Sequence, residues 1–262
     1  TYDELNRVAT ASFAAGGVTD QTITYSYDDG TYGNGRLTGA SDADHSLAWA
    51  YDEQGRVLTM TQVVDSVSQT ASYSYLNGLR ESLTTPSGQV ITYGYTNGKV
   101  TSISVNGTPL VTNVLYDPFG PIRQWNWGNG TLSVRTFDLD GKITQIDSAG
   151  LKTYGYDDAF RITGIADASD SALSWTYGYD DLDRLTSASK TGTSLGYTYD
   201  ANGNRLTQAG SDASTFTIDP NSNRLTNTSG ALTRTYDYDD AGNTTSFDGG
   251  TFTYNSRGRM KS

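Results

Sequence analysis

The chain has 262 residues, of which 35% are hydrophobic and 11% aromatic, with 29 glycines, 19 tyrosines and no cysteine. The formal net charge of −11 excludes a nucleic-acid-binding protein that depends on clustered Lys and Arg, and the missing cysteines exclude disulfides and thiolate metal sites. No stretch of sequence approaches the roughly 18 consecutive apolar residues of a membrane span. Abundant glycine with aromatic and hydroxyl residues is typical of strands joined by tight turns.

A short motif recurs along the whole chain and divides it into thirteen repeats. Each repeat has an anchor residue, usually Tyr, and successive anchors lie 16 to 25 residues apart. The anchors are Tyr2, Tyr27, Tyr51, Tyr75, Tyr95, Tyr116, Phe137, Tyr156, Tyr179, Tyr199, Ile218, Tyr238 and Tyr254. We interpret residues 1–262 as a single repeat array. Because the sequence begins inside a repeat, we expect it to be a piece of a longer chain.

The residues before each anchor predict a β-strand. In ten repeats a second aromatic residue lies two positions earlier, as Tyr25 does before Tyr27 and Tyr197 before Tyr199. A separation of two places both rings on one face of a strand. We therefore predict an all-β fold of consecutive antiparallel β-hairpins in a spiralling sheet, either a shell or a tube-like β-solenoid.

The residues after each anchor predict a turn and the start of the next strand. Asp follows the anchor in ten repeats, and an Asp at this place can accept hydrogen bonds from backbone N–H groups of the turn. Asn-Gly pairs supply the positive φ angles that two-residue hairpin turns need. Ten of the 18 basic residues then precede an aliphatic residue, as in Arg184-Leu185. We expect each basic residue to lie near the Asp of its own or a neighbouring turn and to help set the register.

The stretch Tyr199–Thr207, Y-D-A-N-G-N-R-L-T, resembles the YD repeat of Rhs-type proteins. The chain is identified as a member of this bacterial Rhs/YD-repeat family, whose repeats are related to Rhs polymorphic toxins, toxin-complex C components and teneurin shells. The resemblance implies a long β-sheet strip that spirals into a hollow shell. In toxin members such a shell encloses a toxic carboxyl-terminal domain, and in teneurins a related shell belongs to an adhesion receptor.

The resemblance implies a structural function rather than a reaction. We expect a non-enzymatic wall of a bacterial protein that is extracellular or at the cell surface. This wall encapsulates cargo or self-assembles into a tube or filament. The expected partners are flanking repeats, further copies of the chain and a cargo domain, with no nucleic acid and no membrane span. The alternatives are an adhesin that binds glycans or a partner cell, and an autoproteolytic toxin-encapsulation core.

Several residues resemble catalytic or metal-binding groups but are better interpreted as turn residues. Asp117, in Y-D-P-F-G, is similar to a protease motif of toxin members, yet it occupies the Asp position of its repeat. Paired carboxylates such as Asp157-Asp158 recur at turns and lack the ligand spacing of an EF-hand loop. His45 is the only histidine, and no nucleophile motif lies nearby. We predict no catalytic residue, no cofactor and no metal site.

Trp125 and Trp127 form the densest aromatic pair away from the anchors. If both rings are exposed they can stack on sugar rings, which would make this segment a glycan site. Because they lie two apart and precede an Asn-Gly turn, we favour the interpretation that they form the packed face of a strand.

Overall fold

The computed structural model describes residues 1–15 and 18–261. The chain divides into two compact units. The first contains Thr1–Leu115, Trp125–Gly130 and Asn255–Arg259, and the second contains Tyr116–Gln124, Thr131–Tyr254 and the residues from Met260 onwards.

Strands account for most of both units. Those of the first unit are β1 (Thr10–Ala15), β2 (Val18–Tyr27), β3 (Leu37–Ser41), β4 (His45–Tyr51), β5 (Val57–Val64), β6 (Val67–Leu76), β7 (Leu79–Thr84), β8 (Val90–Thr96) and β9 (Lys99–Val105). Two strands contribute residues to both units, β10 (Thr108–Tyr116) and β11 (Ile122–Trp127).

The strands of the second unit are β12 (Leu132–Phe137), β13 (Ile143–Ser148), β14 (Leu151–Tyr156), β15 (Ile162–Asp167), β16 (Trp175–Tyr179), β17 (Leu185–Lys190), β18 (Thr193–Tyr199), β19 (Arg205–Ala209), β20 (Ser214–Ile218), β21 (Leu225–Gly230), β22 (Arg234–Tyr238), β23 (Thr244–Phe247) and β24 (Gly250–Thr251). In the described part of the chain the single helical element is a 3₁₀ turn at Ser171–Leu173.

Within each unit, strands pair antiparallel with their neighbours in sequence. In the first unit the pairings run from β1–β2 to β9–β10. In the second they run from β12–β13 to β23–β24. The predicted fold class, all-β with consecutive antiparallel hairpins, is confirmed. Three Asn-Gly pairs, at Asn77, Asn97 and Asn106, form two-residue hairpin turns in which both φ angles are positive, as predicted.

The two faces of these strands differ in character. The anchors and the aromatic residues two positions earlier share one face, because side chains alternate along a strand. The residues between them point to the other face, where small and hydroxyl side chains pair across strands. Examples are Ser74 with Ser82, Gly155 with Gly164, and Thr198 with Thr207.

An extra residue interrupts the pairing beside most anchors, which the sequence analysis did not predict. Gly178 pairs with Ser187 but the next residue, Tyr179, pairs with Leu185, so Thr186 forms a β-bulge. Ten anchors in the described part of the chain show this shift. The bulged residue is Thr in seven of them, and in three of these, Thr38, Thr186 and Thr226, it is the Thr of an R-L-T phrase. A bulge bends its strand and increases the local twist, so the repeat contains its own source of curvature.

Few side chains are fully buried. Among the described residues, Val114 and Ala188 are the only apolar side chains with such low exposure, 6% and 5%. Stability therefore depends mainly on contacts between adjacent strands. None of the helical structure described here is long and apolar enough to cross a membrane.

Candidate functional site

The Asp that follows an anchor organises the turn. The backbone N–H of Asp180 donates to the carbonyl of Arg184 at 3.0 Å. The Oδ1 atom of Asp180 accepts the N–H groups of Leu182 and Arg184, both at 3.0 Å. The same three hydrogen bonds recur at Asp3, Asp52, Asp138, Asp157, Asp200 and, with an amide oxygen as acceptor, Asn255. In these turns the Asp side chain accepts hydrogen bonds from backbone N–H groups, as the sequence predicted.

The basic residue at the end of the turn joins two repeats. Arg184 Nε donates to Asp180 Oδ2 at 2.7 Å within its own turn. Its guanidinium lies over the Tyr199 ring, 4.9 Å from the centroid, and Nη1 donates to the carbonyl of Asp200 at 2.8 Å. Arg161 likewise contacts Asp157, the Tyr179 ring and the carbonyl of Asp180. One side chain thus connects two successive turns.

The hydroxyl of the anchor tyrosine makes a hydrogen bond to the backbone of the preceding repeat. Tyr199 Oη donates to the carbonyl of Leu185, the residue after Arg184, at 2.8 Å. The equivalent bond, with lengths of 2.6–3.0 Å, is made by Tyr27, Tyr51, Tyr75, Tyr95, Tyr156, Tyr179, Tyr199, Tyr238 and Tyr254. Phe137 and Ile218 have no hydroxyl to donate, and Tyr2 is 67% exposed. We call this combination of Asp, basic residue and anchor the inter-repeat contact.

Two repeats near the carboxyl end build the turn differently. Asn204 occupies the position of the basic residue and donates from Nδ2 to Asp200 Oδ2 at 2.8 Å. Asn243 makes the same bond to Asp239 at 2.8 Å. Arg205 therefore lies one residue later and contacts the Phe216 ring at 4.4 Å instead of a turn carboxylate. The expectation that each basic residue lies near a turn Asp fails at Arg205 for this reason.

The hydrogen bonds of the turns stabilise the charged form of the carboxyl groups. The backbone N–H of Arg184 lowers the pKa of Asp180 most, and its guanidinium lowers it further against the opposing effect of partial burial. For Asp200 the amide of Asn204 is the largest cause of a lowered pKa. At the edge opposite the Asp turns, burial alone would raise the pKa of Asp42, but hydrogen bonds hold it at about 2.

The other residues singled out in the sequence occupy structural positions. Asp117 N–H donates to the Pro121 carbonyl at 3.0 Å, as in the other Asp turns. Asp158, the second carboxylate of its pair, is exposed outside the turn hydrogen bonds. His45 lies at the start of β4 with Nδ1 3.2 Å from Asp42 Oδ1. Within the described residues, no group of three or more His, Asp or Glu side chains is arranged to hold a metal ion.

Trp125 and Trp127 lie on β11 with ring centroids 5.6 Å apart and planes at 82°. Trp127 is 38% exposed and Trp125 is half-buried. The rings pack edge to face, so they do not form one flat platform. Stacking of a glycan on this pair stays a prediction.

Comparison with known proteins agrees with this geometry. The Teneurin YD-shell family model matches residues 155–262. No curated protein matches the chain. Among solved structures, the chain is similar to TcdB2-TccC3-TEV, at 14% identity and a TM-score of 0.66 over 99% of this chain and 19% of that one. It is also similar to TcdB2-TccC3, at 13% identity and a TM-score of 0.65, and to the Photorhabdus luminescens Tc holotoxin pore, at 13% and 0.63; each covers 92% of this chain and 18% of the other.

The fold is that of a YD-repeat shell segment. The Teneurin YD-shell family model covers residues 155–262, and the turn motif of that region recurs in the rest of the chain; together they support a relationship to the Rhs/YD-repeat proteins. It spans about a fifth of the length of the solved chains that it resembles.

The first prediction concerns the anchor hydroxyl. Replacing Tyr199 by Phe removes the bond to Leu185 but keeps the ring, so we expect a loss of about 0.5–1.5 kcal/mol in unfolding free energy. Tyr197→Phe on the same strand is the matched control, because no partner of the Tyr197 hydroxyl is found in the described part of the chain. Urea denaturation measures both. Equal effects of the two substitutions would contradict the assigned role.

The second prediction concerns acid. A turn carboxyl whose pKa is lowered on folding contributes its full stability above the unfolded pKa of roughly 3.9, and loses it as the pH falls through the lower folded value. Asp180→Asn should therefore flatten the loss of stability below about pH 4 while keeping the N–H acceptor that Asn255 provides naturally.

Asp180→Ala should destabilise the chain at neutral pH as well, because the N–H groups of Leu182 and Arg184 lose their acceptor. Asp181→Asn, an equal change of charge outside the turn hydrogen bonds, is the control. Urea midpoints between pH 2 and 7 measure all three variants. A profile of Asp180→Asn that matches the wild type would contradict the assignment.

Proposed function

We propose that the chain is a non-enzymatic part of the wall of a hollow protein shell, and that this shell encloses a cargo domain. The observation that carries the proposal is the inter-repeat contact, which recurs from Tyr27 to Tyr254. A contact devoted to joining neighbouring repeats suits a continuous wall, because it links consecutive turns along the array. The match of residues 155–262 to the Teneurin YD-shell family model supports the same function.

Large apolar side chains at the turns support further packing against this wall. Phe119 and Leu139 are fully exposed, and Leu182 is 67% exposed. Each belongs to a turn that directly follows an anchor. Exposed apolar residues in adjacent turns favour association with other protein surfaces. We propose flanking repeats or further copies of the chain as the surfaces that cover them.

We propose an extracellular or cell-surface location for the assembled protein. The teneurin and toxin-complex relationship supports this location, and the acidic surface suits a protein that stays soluble outside the cell. Fractionation of the producing bacterium, with immunodetection of the chain, tests it. Retention of all the material in the cytoplasm would contradict it.

Electron microscopy of the native protein tests the shell directly. We expect discrete hollow particles with internal density, and protease treatment should spare the enclosed segment until the wall is denatured. Continuous fibres would contradict encapsulation and would instead make assembly itself the function.

The half-exposed Trp127 favours one second candidate, an adhesin that stacks a sugar ring on this side chain. A glycan array with the wild type and Trp127→Ala tests it. Glycan binding lost in the variant supports the adhesin, and absence of any binding rejects it.

A further inference from the structure

The second repeat has a longer turn than the others built on Asp. Asp28 N–H donates to the carbonyl of Arg36, eight residues later, at 3.2 Å. The corresponding bond of Asp52 reaches Arg56, only four residues later. Across the described part of the chain, the equivalent bonds of the other Asp turns span four or five residues. We call the segment from Asp28 to Arg36 the long turn.

Ion pairs and hydrogen bonds fix both ends of the long turn. Arg7 donates from Nη1 and Nη2 to the two oxygens of Asp28, at 3.0 and 2.7 Å. Gly35 N–H donates to Asp28 Oδ1 at 2.6 Å. Arg36 Nη1 donates to the carbonyls of Tyr32 and Asn34, both at 3.1 Å. This bonding holds the turn in a defined conformation.

The middle of the long turn packs closely on itself and on the sheet. Gly33 is buried, and a Cβ atom there would lie 1.8 Å from the carbonyl oxygen of Asp29 and 2.9 Å from Thr38 Cγ2. No side chain larger than hydrogen fits, so only glycine allows the backbone at this position to approach the carbonyl of Asp29 so closely. The neighbouring Tyr32 is 43% exposed.

A cavity of about 660 Å³ lies between the long turn and the small-residue face of the sheet. Its floor includes Ser26, Gly39 and Ala48, which pair in register across β2, β3 and β4. Tyr32 and Leu58 also line it, the first from the turn and the second from β5. Small side chains here leave room beside the long turn, and the cavity is open to solvent on one side.

The cavity lining includes a carboxylate and an aromatic ring. Asp29 and Tyr32 both line the cavity. Thr38 Oγ1 donates to Asp29 Oδ2 at 3.3 Å, and within the described residues no cationic side chain pairs with this carboxylate. A carboxylate attracts an ammonium group, and the face of an aromatic ring attracts it as well. The small floor and Leu58 accept an aliphatic chain.

We propose that this cavity binds a protonated primary amine on a short aliphatic chain. Such a group comes either from a free alkylamine or from a lysine side chain of a polypeptide. The ammonium pairs with Asp29 and contacts the Tyr32 ring, while the methylene groups lie on the floor beside Leu58. The net charge of −11 disfavours an anionic ligand.

Titration of the intact chain with n-butylammonium, followed by ¹H–¹⁵N NMR, tests the site. We expect the shifts to be concentrated at Gly30, Tyr32 and Gly33, with saturable binding. Neutral n-butanol should bind about five-fold more weakly or not at all, because it lacks the charge. Equal binding of butanol would overturn the proposal.

Matched variants distinguish binding of the ammonium group at this cavity from nonspecific attraction of a cation to an acidic protein. Asp29→Asn should weaken binding about five-fold. Asp158→Asn, which changes the net charge by the same amount at the second Asp of another turn, should leave it unchanged. Ala48→Leu, which fills the floor without altering any charge, should also weaken binding. Equal effects of Asp29→Asn and Asp158→Asn would overturn the proposal.

Titration with Nα-acetyl-lysine methylamide distinguishes a lysine side chain from a free alkylamine as the source of the ammonium group. Binding at least as tight as that of butylammonium supports a lysine side chain as the ligand. Tighter binding of butylammonium supports a free amine. Saturable shifts elsewhere in the chain, with none in the long turn, would contradict both.

Discussion

Neighbouring repeats are joined by the contact between the basic residue of one turn and the tyrosine that ends the next hairpin. Asp180 positions Arg184, and the Arg184 guanidinium lies over the Tyr199 ring. The Tyr199 hydroxyl donates a hydrogen bond to the carbonyl of Leu185, the residue after Arg184. Few side chains are fully buried, so a conventional core cannot provide most of the stability. The contact replaces it with many modest interactions between adjacent repeats. A solenoid-like array gains its cooperativity from such nearest-neighbour terms.

The anchors, the strand alternation and the Asp turns could be predicted because each depends on residues close in sequence. The bulge at Thr186 could not, since it is defined by pairing with another strand. The long turn was not visible in the anchor spacings, because the spacing that contains it, Tyr27 to Tyr51, equals the next one, Tyr51 to Tyr75, whose turn is short. Its packing against the sheet depends on the close backbone approach at Gly33, which no residue count reveals.

The inter-repeat contact and the cavity represent two uses of the same turn. Most turns keep a short form, in which Asp and the basic residue are occupied with assembly. The turn after Tyr27 retains the anchor bond to Val8 and the Arg7–Asp28 ion pair, yet its extra residues line a cavity. A repeat array can therefore add a binding site without losing the contact that holds its wall together.

A double-mutant cycle between Arg184 and Tyr199 tests the central claim most directly. Arg184→Met and Tyr199→Ala, alone and combined, give the coupling energy from unfolding free energies. We expect a coupling energy of about 0.5–2 kcal/mol for this pair. The control is Arg184 with Tyr238, an anchor two repeats away that Arg184 does not contact, and its coupling energy should lie within about 0.5 kcal/mol of zero. A coupling near zero between Arg184 and Tyr199 would contradict the claim that this contact joins the repeats.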